Sequence, residues 1–232
     1  MQPEAQLLEV GAGTGKATLP LAQRGFSIKC LEMGKQLAEV ARRNLGHHPN
    51  VEIVVTSFED WQPRGERFDL VFAATAWHWL DPATRYSKAA GLLTDKGVLA
   101  FFSAKHAFPA DTDRFFYEIQ DVYEALEHGG NDLWFPGYDH WPPPPPQEVA
   151  DDSDEIVASG FFDDIQVRRY TWAHEYTADQ YVALLNTFSG HIMMDHETRE
   201  FLYAEIRRRI NDRRGKKVRR HWLAILHVAH RL

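Results

Sequence analysis

Short apolar runs alternate with amphipathic segments over the first hundred residues. Each run is short enough to be a buried strand; they lie at 6–10, 26–31, 51–55, 68–74 and 98–102. Between some of them, apolar residues recur at helical spacing; these segments lie at 16–24, 36–45 and 83–93. Strands that alternate with helices in this way predict a parallel sheet covered by helices, which is an α/β fold.

The alternation is interrupted after residue 104. Residues 105–155 contain a predicted helix at 112–127, the aromatic stretch 134–138 and the five prolines 142–146. We interpret 105–155 as a cap over a substrate pocket, with the prolines as a stiff spacer. The pattern then resumes, and 156–232 is expected to complete a single domain begun by 1–104. Its predicted elements are a helix ending near 162, a strand at 162–175, helices at 177–188 and 195–211, and a last strand at 218–228.

Three glycines at alternate positions follow the first strand, in the run Glu9-Val10-Gly11-Ala12-Gly13-Thr14-Gly15. A glycine turn between a strand and a helix is typical of nucleotide binding. A P-loop needs glycine at position 10 and Ser or Thr at 17, where this chain has Val10 and Ala17. The dinucleotide fingerprint needs its third glycine at position 16, which is Lys16. The spacing therefore disfavours both of these nucleotide sites.

The run Glu-x-Gly-x-Gly-x-Gly resembles the first motif of the class I S-adenosylmethionine-dependent methyltransferases. The resemblance covers most of 6–105 and, more loosely, 156–232. It implies a Rossmann-like seven-stranded sheet in the order 3-2-1-4-5-7-6 with the last strand antiparallel, and S-adenosylmethionine as cofactor. It also implies cofactor contacts at Glu9, Gly11, Ala12 and Gly13. In this family, one or two helices before the first strand usually cover the cofactor, and only five residues precede that strand here. We therefore expect either that the insertion 105–155 covers the cofactor or that the cover is missing.

The ends of the next strands supply the other expected cofactor contacts. Glu32 ends the second strand at the distance from the glycine turn where an acidic side chain accepts the ribose hydroxyls, and Met33 either packs against adenine or fills the core. The resemblance places adenine beside the turn after the third strand, where Ser57 and the Phe58 backbone are expected to contact it and Glu59 is the other acceptor. The choice between Ser57 and Glu59 stays open. After the fourth strand, the backbone of Ala74 and Thr75 is expected to contact the methionine part.

A histidine between two tryptophans follows the fourth strand. Ligands of open α/β sheets bind outside such strand ends, so Trp77, His78 and Trp79 are the predicted substrate pocket. His78 is the candidate catalytic base, and it is equally well explained as a structural residue whose neighbours anchor the next helix. Ser189 and His191 are weaker candidates.

Composition and charge limit the classes of protein that fit. The chain is 44% hydrophobic and 25% charged, has a net charge of −7, and lacks a run of about 18 apolar residues, which predicts a soluble protein with no membrane span. Its one cysteine, Cys30, cannot form an internal disulfide, and with no recognisable signal peptide a cytoplasmic location is expected. The twelve histidines lack zinc-ligand spacing, so no metal is expected.

One segment departs from the overall charge. Residues 207–220 carry nine Arg or Lys and one Asp, a local charge of +8. We favour a solvated helix end there over a nucleic-acid site, because no nucleic-acid-binding module accompanies the charge.

The preferred function is methyl transfer from S-adenosylmethionine to a small-molecule acceptor. Two alternatives stay open: a protein that binds the cofactor without transferring the methyl group, and a methyltransferase that acts on nucleic acid through 207–220. A nicotinamide enzyme is a more distant fourth, given Lys16.

Overall fold

A computed structural model describes residues 5–126 and 143–232. The described residues form a seven-stranded sheet in the order β3-β2-β1-β4-β5-β7-β6. Its strands are β1 Gln6–Val10, β2 Ser27–Glu32, β3 Val51–Val55, β4 Phe68–Ala74, β5 Leu93–Ala107, β6 Phe162–Thr177 and β7 Lys217–Arg231. This order confirms the expected Rossmann-like methyltransferase sheet.

Helices and turns of very different lengths connect these strands. The α-helices are α1 Thr18–Ala22, α2 Lys35–Leu45, α3 Arg85–Leu92, α4 Phe115–Glu118, α5 Gln120–Ala125, α6 Ser153–Ser159, α7 Ala178–Leu185, α8 Ser189–Met193 and α9 His196–Asn211, and a 3₁₀ turn covers Trp77–Trp79. Over its described residues, the helix predicted at 112–127 is divided into α4 and α5, and α8 is a helix that the sequence did not predict. The predicted aromatic stretch and the first of the five prolines lie outside the described residues.

The register of the central strands brings their carboxyl ends to one edge of the sheet. β1 runs parallel to β2, with Val10 opposite Leu31, and parallel to β4, with Val10 opposite Ala73. β3 is parallel to β2 and β5 is parallel to β4. The turns that follow β1, β2, β3 and β4 therefore meet at the same edge, where α/β sheets bind their ligands.

The last strand runs against its neighbours. Near the end of β7, the Arg231 side chain donates a hydrogen bond to the carbonyl of Leu93, the first residue of β5. The Leu232 amide, one residue beyond β7, donates to the carbonyl of Phe161, one residue before β6. The end of β7 thus lies beside the beginnings of β5 and β6, which makes it antiparallel to both.

The chain divides into two compact units. The sheet unit comprises residues up to 104, 150–169 and 224–232; the helical unit comprises 105–149 and 170–223. The chain leaves the sheet unit at 104, where the sequence pattern first breaks, but 170–223 group with the helical unit rather than with the C-terminal segment. The sheet unit has buried clusters on β1, β2, β4 and β5, and the helical unit has its own core around Phe116, Tyr181 and Ile206.

Candidate functional site

The glycine turn between β1 and α1 has positive φ angles, which residues other than glycine adopt only with strain. Gly11, Gly13 and Gly15 all have positive φ, at 70°, 57° and 82°. At Gly11 a Cβ atom would lie 2.4 Å from the Cβ of Ala76, so the turn after β4 approaches the glycine turn too closely for a side chain. At Gly13 a Cβ would meet nothing within 4 Å. The glycines are therefore required by conformation at each position and by close approach at Gly11.

Glu32, at the end of β2, joins the glycine turn to the turn that follows β2. Its Oε2 accepts a hydrogen bond of 2.7 Å from the Gly13 amide, and its Oε1 accepts one of 2.7 Å from the Gly34 amide. The side chain is buried, at 6% exposure. Each oxygen keeps a second lone-pair position after these bonds, so the carboxylate can accept further donors from a ligand.

Glu9 is a fully buried carboxyl beneath the glycine turn. Its Oε2 accepts a hydrogen bond of 2.5 Å from the Thr18 hydroxyl and lies 3.6 Å from the Cys30 sulfur. Its Oε1 has no hydrogen-bond partner among residues 5–126 and 143–232. Burial, helped by the nearby Glu32 charge, raises the pKa of Glu9 to about 7, so a cationic ligand close by would favour its ionised form.

The turn after β3 is held in shape by its own side chains. The Ser57 hydroxyl donates to Asp60 Oδ2 over 2.8 Å and accepts from the Asp60 amide over 3.0 Å. Phe58 is buried in the core of the sheet unit, while the exposed Glu59 accepts a hydrogen bond of 3.1 Å from the Asp81 amide through Oε1. Ser57 is thus occupied with its own turn, and Glu59 connects this turn to the one after β4.

Thr75, which directly follows β4, has an unusual backbone for a β-branched residue. Its φ is 56°, in the left-handed region that such residues rarely occupy. Its amide donates to the Phe102 carbonyl over 2.8 Å, and its hydroxyl donates to the Ala74 carbonyl over 2.7 Å. This strained conformation is found at the ligand-binding edge of the sheet, where backbone strain is commonly associated with function.

These turns surround one cleft of about 670 Å³ in the sheet unit. That volume is typical of sites for small molecules and cofactors. All eleven residues expected to contact the cofactor line it: Glu9, Gly11, Ala12, Gly13, Glu32, Met33, Ser57, Phe58, Glu59, Ala74 and Thr75. Met33 is 75% exposed in this cleft, which excludes the alternative that it fills the core.

The comparisons with known proteins agree with this geometry. Residues 8–101, which carry most of β1, all of β2 to β4 and most of the cleft, match the family model of a methyltransferase domain. Over 135 residues the chain is 33% identical to the malonyl-[acyl-carrier protein] O-methyltransferase of Geobacter sulfurreducens, covering 55% of this chain and 48% of that protein. These matches, together with the strand order, support a methyltransferase domain of the class I S-adenosylmethionine-dependent type over residues 8–101.

Solved structures show the same fold over nearly the whole chain. A structure assigned to a type II methyltransferase from Anaeromyxobacter dehalogenans has a TM-score of 0.64 at 19% identity, covering 97% of this chain and 89% of that one. Phosphoethanolamine N-methyltransferase 2 of Haemonchus contortus, in complex with S-adenosylmethionine, has a TM-score of 0.53 at 13% identity, covering 99% of this chain and 49% of that one. The chain spans about half the length of the curated relatives it matches.

The three residues predicted to form the substrate pocket occupy different environments. Trp77 is buried, and its ring stacks on Phe101 at 5.0 Å and meets Tyr86 edge-on at 5.4 Å. The expectation that Trp77 walls the pocket is therefore wrong, because its side chain belongs to the core. Trp79 is 73% exposed and lines the cleft. His78 is exposed with its ring 5.0 Å from that of Trp79, and its role as a base stays a prediction.

The two weaker candidates lie in the helical unit. Ser189 is the first residue of α8. His191 is buried, stacks on Tyr203 at 5.8 Å and meets Tyr123 edge-on. Burial lowers the pKa of His191 to about 4, so it is neutral at physiological pH. These contacts make His191 a packing residue of this core.

The basic segment 207–220 is largely neutralised by acidic neighbours within the helical unit. Among residues 5–126 and 143–232, ion pairs join Arg207, Arg208, Arg209, Arg213, Lys217 and Arg219 to acidic partners; these are Asp111, Asp113, Glu118, Asp121, Glu175, Asp179, Glu205 and Asp212. Arg220 is fully buried, where it lies 4.3 Å from the Trp222 ring and donates to the Tyr181 hydroxyl. This arrangement favours a structural role for the segment.

Two further features are absent from the part of the chain that the structure describes. No group of three or more His, Cys, Asp or Glu side chains there is arranged to hold a metal ion. Among the same residues, no helix combines the length and the apolar character that crossing a bilayer requires.

Sequence reasoning missed several residues of the site. Lys16, Leu37, Leu80 and Phe102 also line the cleft. Lys88 and Arg85, on α3, donate hydrogen bonds to backbone carbonyls of the turns around it. Helical periodicity places both side chains on α3 but does not indicate which distant carbonyls they reach, so no sequence signal identified them.

Proposed function

We propose that this protein binds S-adenosylmethionine in the cleft of the sheet unit and transfers its methyl group to a small acceptor that carries a carboxylate. The observation that carries the proposal is a cleft lined by all eleven residues expected at the cofactor. These residues come from the ends of strands and from the turns that follow β1, β2, β3 and β4, which the strand register brings together.

The residues of the cleft fit this cofactor. Neither Gly11 nor Gly13 has a side chain that would separate the backbone from a ligand. A Cβ at Gly11 would overlap Ala76, and a Cβ at Gly13 would project into open space. Glu32 has lone pairs left for two ribose hydroxyls after it has accepted the two glycine amides. Glu9 adds a buried carboxyl with one unpartnered oxygen, counted over residues 5–126 and 143–232. Two carboxyl groups in one cleft suit a cationic ligand.

The chemistry required of the chain is modest. When bound, S-adenosylmethionine supplies a methyl group on a sulfonium, which is already activated toward in-line displacement. Glu32 and the glycine turn would hold the nucleoside, and Thr75 would orient the remainder through its strained backbone. The exposed Trp79 at the rim would help to exclude water from the acceptor. Positioning of this kind accounts for a large share of catalysis in displacement reactions.

The class of acceptor is inferred from the relatives. The matched relatives include malonyl-[acyl-carrier protein] O-methyltransferases, whose name implies methylation at a carboxyl oxygen. A carboxylate is ionised at neutral pH and needs no base, which agrees with a site whose one candidate base, His78, does not line the cleft. A hydroxyl acceptor would instead require a base, and His78 is then the residue to test.

The cofactor assignment can be tested by calorimetric titration. Wild-type protein is expected to bind S-adenosylmethionine and S-adenosylhomocysteine with micromolar Kd and to show no binding of NAD. Glu32→Gln places an amide nitrogen against a backbone N–H and should abolish this binding. Glu39→Gln, an exposed substitution on α2, is the matched control and should bind as wild type does. Tighter binding of NAD than of S-adenosylhomocysteine would overturn the proposal.

Transfer is tested separately from binding. Formation of S-adenosylhomocysteine should require a malonyl thioester and should be insensitive to His78→Ala. Tight cofactor binding with no turnover on carboxylate, hydroxyl or amine acceptors would favour the alternative of a binding protein without transfer activity.

Nucleic acid is the second alternative to test. Methylation of RNA, with an affinity that falls steeply as salt rises, would support a nucleic-acid substrate instead. The ion pairs of 207–220 argue against it, because paired cations contribute less to binding phosphate.

A further inference from the structure

The turn after β3 lines the cleft and exposes its central residues. Phe58 and Trp61 are buried, while Glu59 and Asp60 between them are exposed. Inside the turn, the Trp61 amide donates to the Ser57 carbonyl over 3.2 Å, and the Ser57–Asp60 pair closes the same loop. These local bonds fix the shape of the turn, but the position of its exposed centre relative to the rest of the cleft depends on contacts from outside it.

Lys88 supplies that connection from α3. Its ammonium donates to the Glu59 carbonyl over 2.8 Å and to the Trp61 carbonyl over 2.7 Å. The same nitrogen lies 5.3 Å from the centre of the Phe58 ring. One cation thus holds three parts of the turn through charge-assisted hydrogen bonds and a cation–π contact, which are stronger than neutral contacts.

A second contact connects the same two parts of the cleft. The Asp81 amide donates to Glu59 Oε1, and Asp81 itself shapes the start of α3, because its carboxylate accepts from the Ala83 amide and the Thr84 hydroxyl. The Glu59 side chain is therefore held at one oxygen from the α3 side, while Lys88 holds its carbonyl. Partial burial lowers the pKa of Lys88, with the nearby Glu59 and Asp60 charges opposing this, in agreement with a desolvated contact.

We propose that Lys88 is a positioning residue that fixes the turn 57–61 so that the second carboxylate oxygen of Glu59 accepts a hydrogen bond from the amino group of the bound base. This inference rests on the proposed function, since it deepens the account of the same site. It also favours Glu59 over Ser57 as the acceptor, because two hydrogen bonds with Asp60 orient the Ser57 hydroxyl and leave it one lone-pair position, whereas a carboxylate oxygen is the stronger acceptor. Lys88 itself need not touch the ligand.

The first test needs no ligand. Hydrogen exchange of the amides of 57–61 is measured in wild type, Lys88→Met and Lys88→Arg. Lys88→Met removes the donors and is expected to speed exchange in this turn about tenfold, with the amides of β1 unchanged. Lys88→Arg keeps a cation with several donors and should restore most of the protection. Lys96→Met, an exposed lysine of the same unit, should have no effect. Unchanged exchange of 57–61 in Lys88→Met would overturn the positioning role.

The second test measures base selectivity. Wild type should bind S-adenosylhomocysteine about tenfold more tightly than S-inosylhomocysteine, which has no amino group on its base. Lys88→Met should lose most of this ratio, and Glu59→Gln should reduce it, while both variants bind the inosine compound nearly as wild type does. A parallel loss for both ligands would indicate a merely structural role and would contradict the proposal.

The two tests separate failure of this inference from failure of the proposed function. If wild type bound neither ligand, the cofactor assignment would be wrong, and the exchange measurement would still decide whether Lys88 holds the turn. If wild type bound both ligands equally, Glu59 would not be the acceptor, and this inference alone would be overturned.

Discussion

Replacement of Gly11 by alanine tests whether the cleft depends on close approach of two backbones. An alanine at φ +70° costs roughly 1–2 kcal/mol, because a side chain is disfavoured in the left-handed region. The added Cβ would also lie 2.4 Å from the Cβ of Ala76, and relieving such an overlap in a packed site costs about 1–3 kcal/mol. The expected loss in the free energy of unfolding is therefore about 2–5 kcal/mol.

Two other glycines separate the terms of this estimate. Gly25 also has a positive φ, of 87°, but a Cβ there would meet nothing within 4 Å, and Gly25 does not line the cleft. Gly25→Ala should therefore lose only about 1–2 kcal/mol and bind S-adenosylhomocysteine normally. Gly13→Ala should lose a similar amount of stability but bind the ligand poorly, because its Cβ would enter the cleft.

Urea unfolding and calorimetric titration of the three variants provide the test. The expected order of destabilisation is Gly11→Ala first, followed by Gly13→Ala and Gly25→Ala together. If Gly11→Ala were no less stable than Gly25→Ala, the contact with Ala76 would not constrain the turn. If Gly13→Ala bound ligand as tightly as Gly25→Ala, the space beside Gly13 would not belong to the ligand.

Two further predictions concern stability. The pKa of His191 is about 4 in the folded chain and 6.5 in the unfolded chain, so the unfolded chain binds a proton first as pH falls. About 3 kcal/mol of the free energy of unfolding should therefore be lost between pH 6.5 and 4. In urea unfolding, His191→Phe should show a smaller loss over this pH range than the exposed control His47→Gln. Arg85→Met removes the hydrogen bond to the Trp77 carbonyl and the pair with the partly exposed Glu155, and should lower the free energy of unfolding by about 2 kcal/mol. The exposed Arg208→Met should leave the melting temperature unchanged, and an equal effect of both arginines would contradict this assignment.

Local signals predicted most of the sheet unit. Apolar runs bounded by turn residues indicated the strands. The spacing from Gly11 to Glu32 predicted that the glycine turn and the end of β2 belong to one site, and the Glu32 carboxylate does accept a hydrogen bond from the Gly13 amide. These features depend on neighbours in sequence, and the order of the strands followed from the family resemblance.

The site residues that the sequence misplaced or missed also have a physical explanation. Trp77 follows a strand at the ligand edge, as a pocket residue would, but its side chain turns into the core against Phe101, a contact that depends on β5. Lys88 has no local feature that distinguishes it from another solvated helix lysine. Both outcomes depend on which distant groups the fold brings within reach, and hydrophobic periodicity carries no information about that.

The buried thiol of Cys30 makes the sheet observable by chemical labelling. Cys30 lies in the middle of β2, fully buried, opposite Glu9 on β1 and Ile53 on β3, and burial raises the pKa of its thiol. A thiol reagent can reach it only when these strands separate, because both access and ionisation are suppressed in the closed sheet. Since the chain has one cysteine, the labelling rate of the unmodified protein reports opening of the sheet beneath the cleft, and a ligand bound there should slow it in proportion to its occupancy.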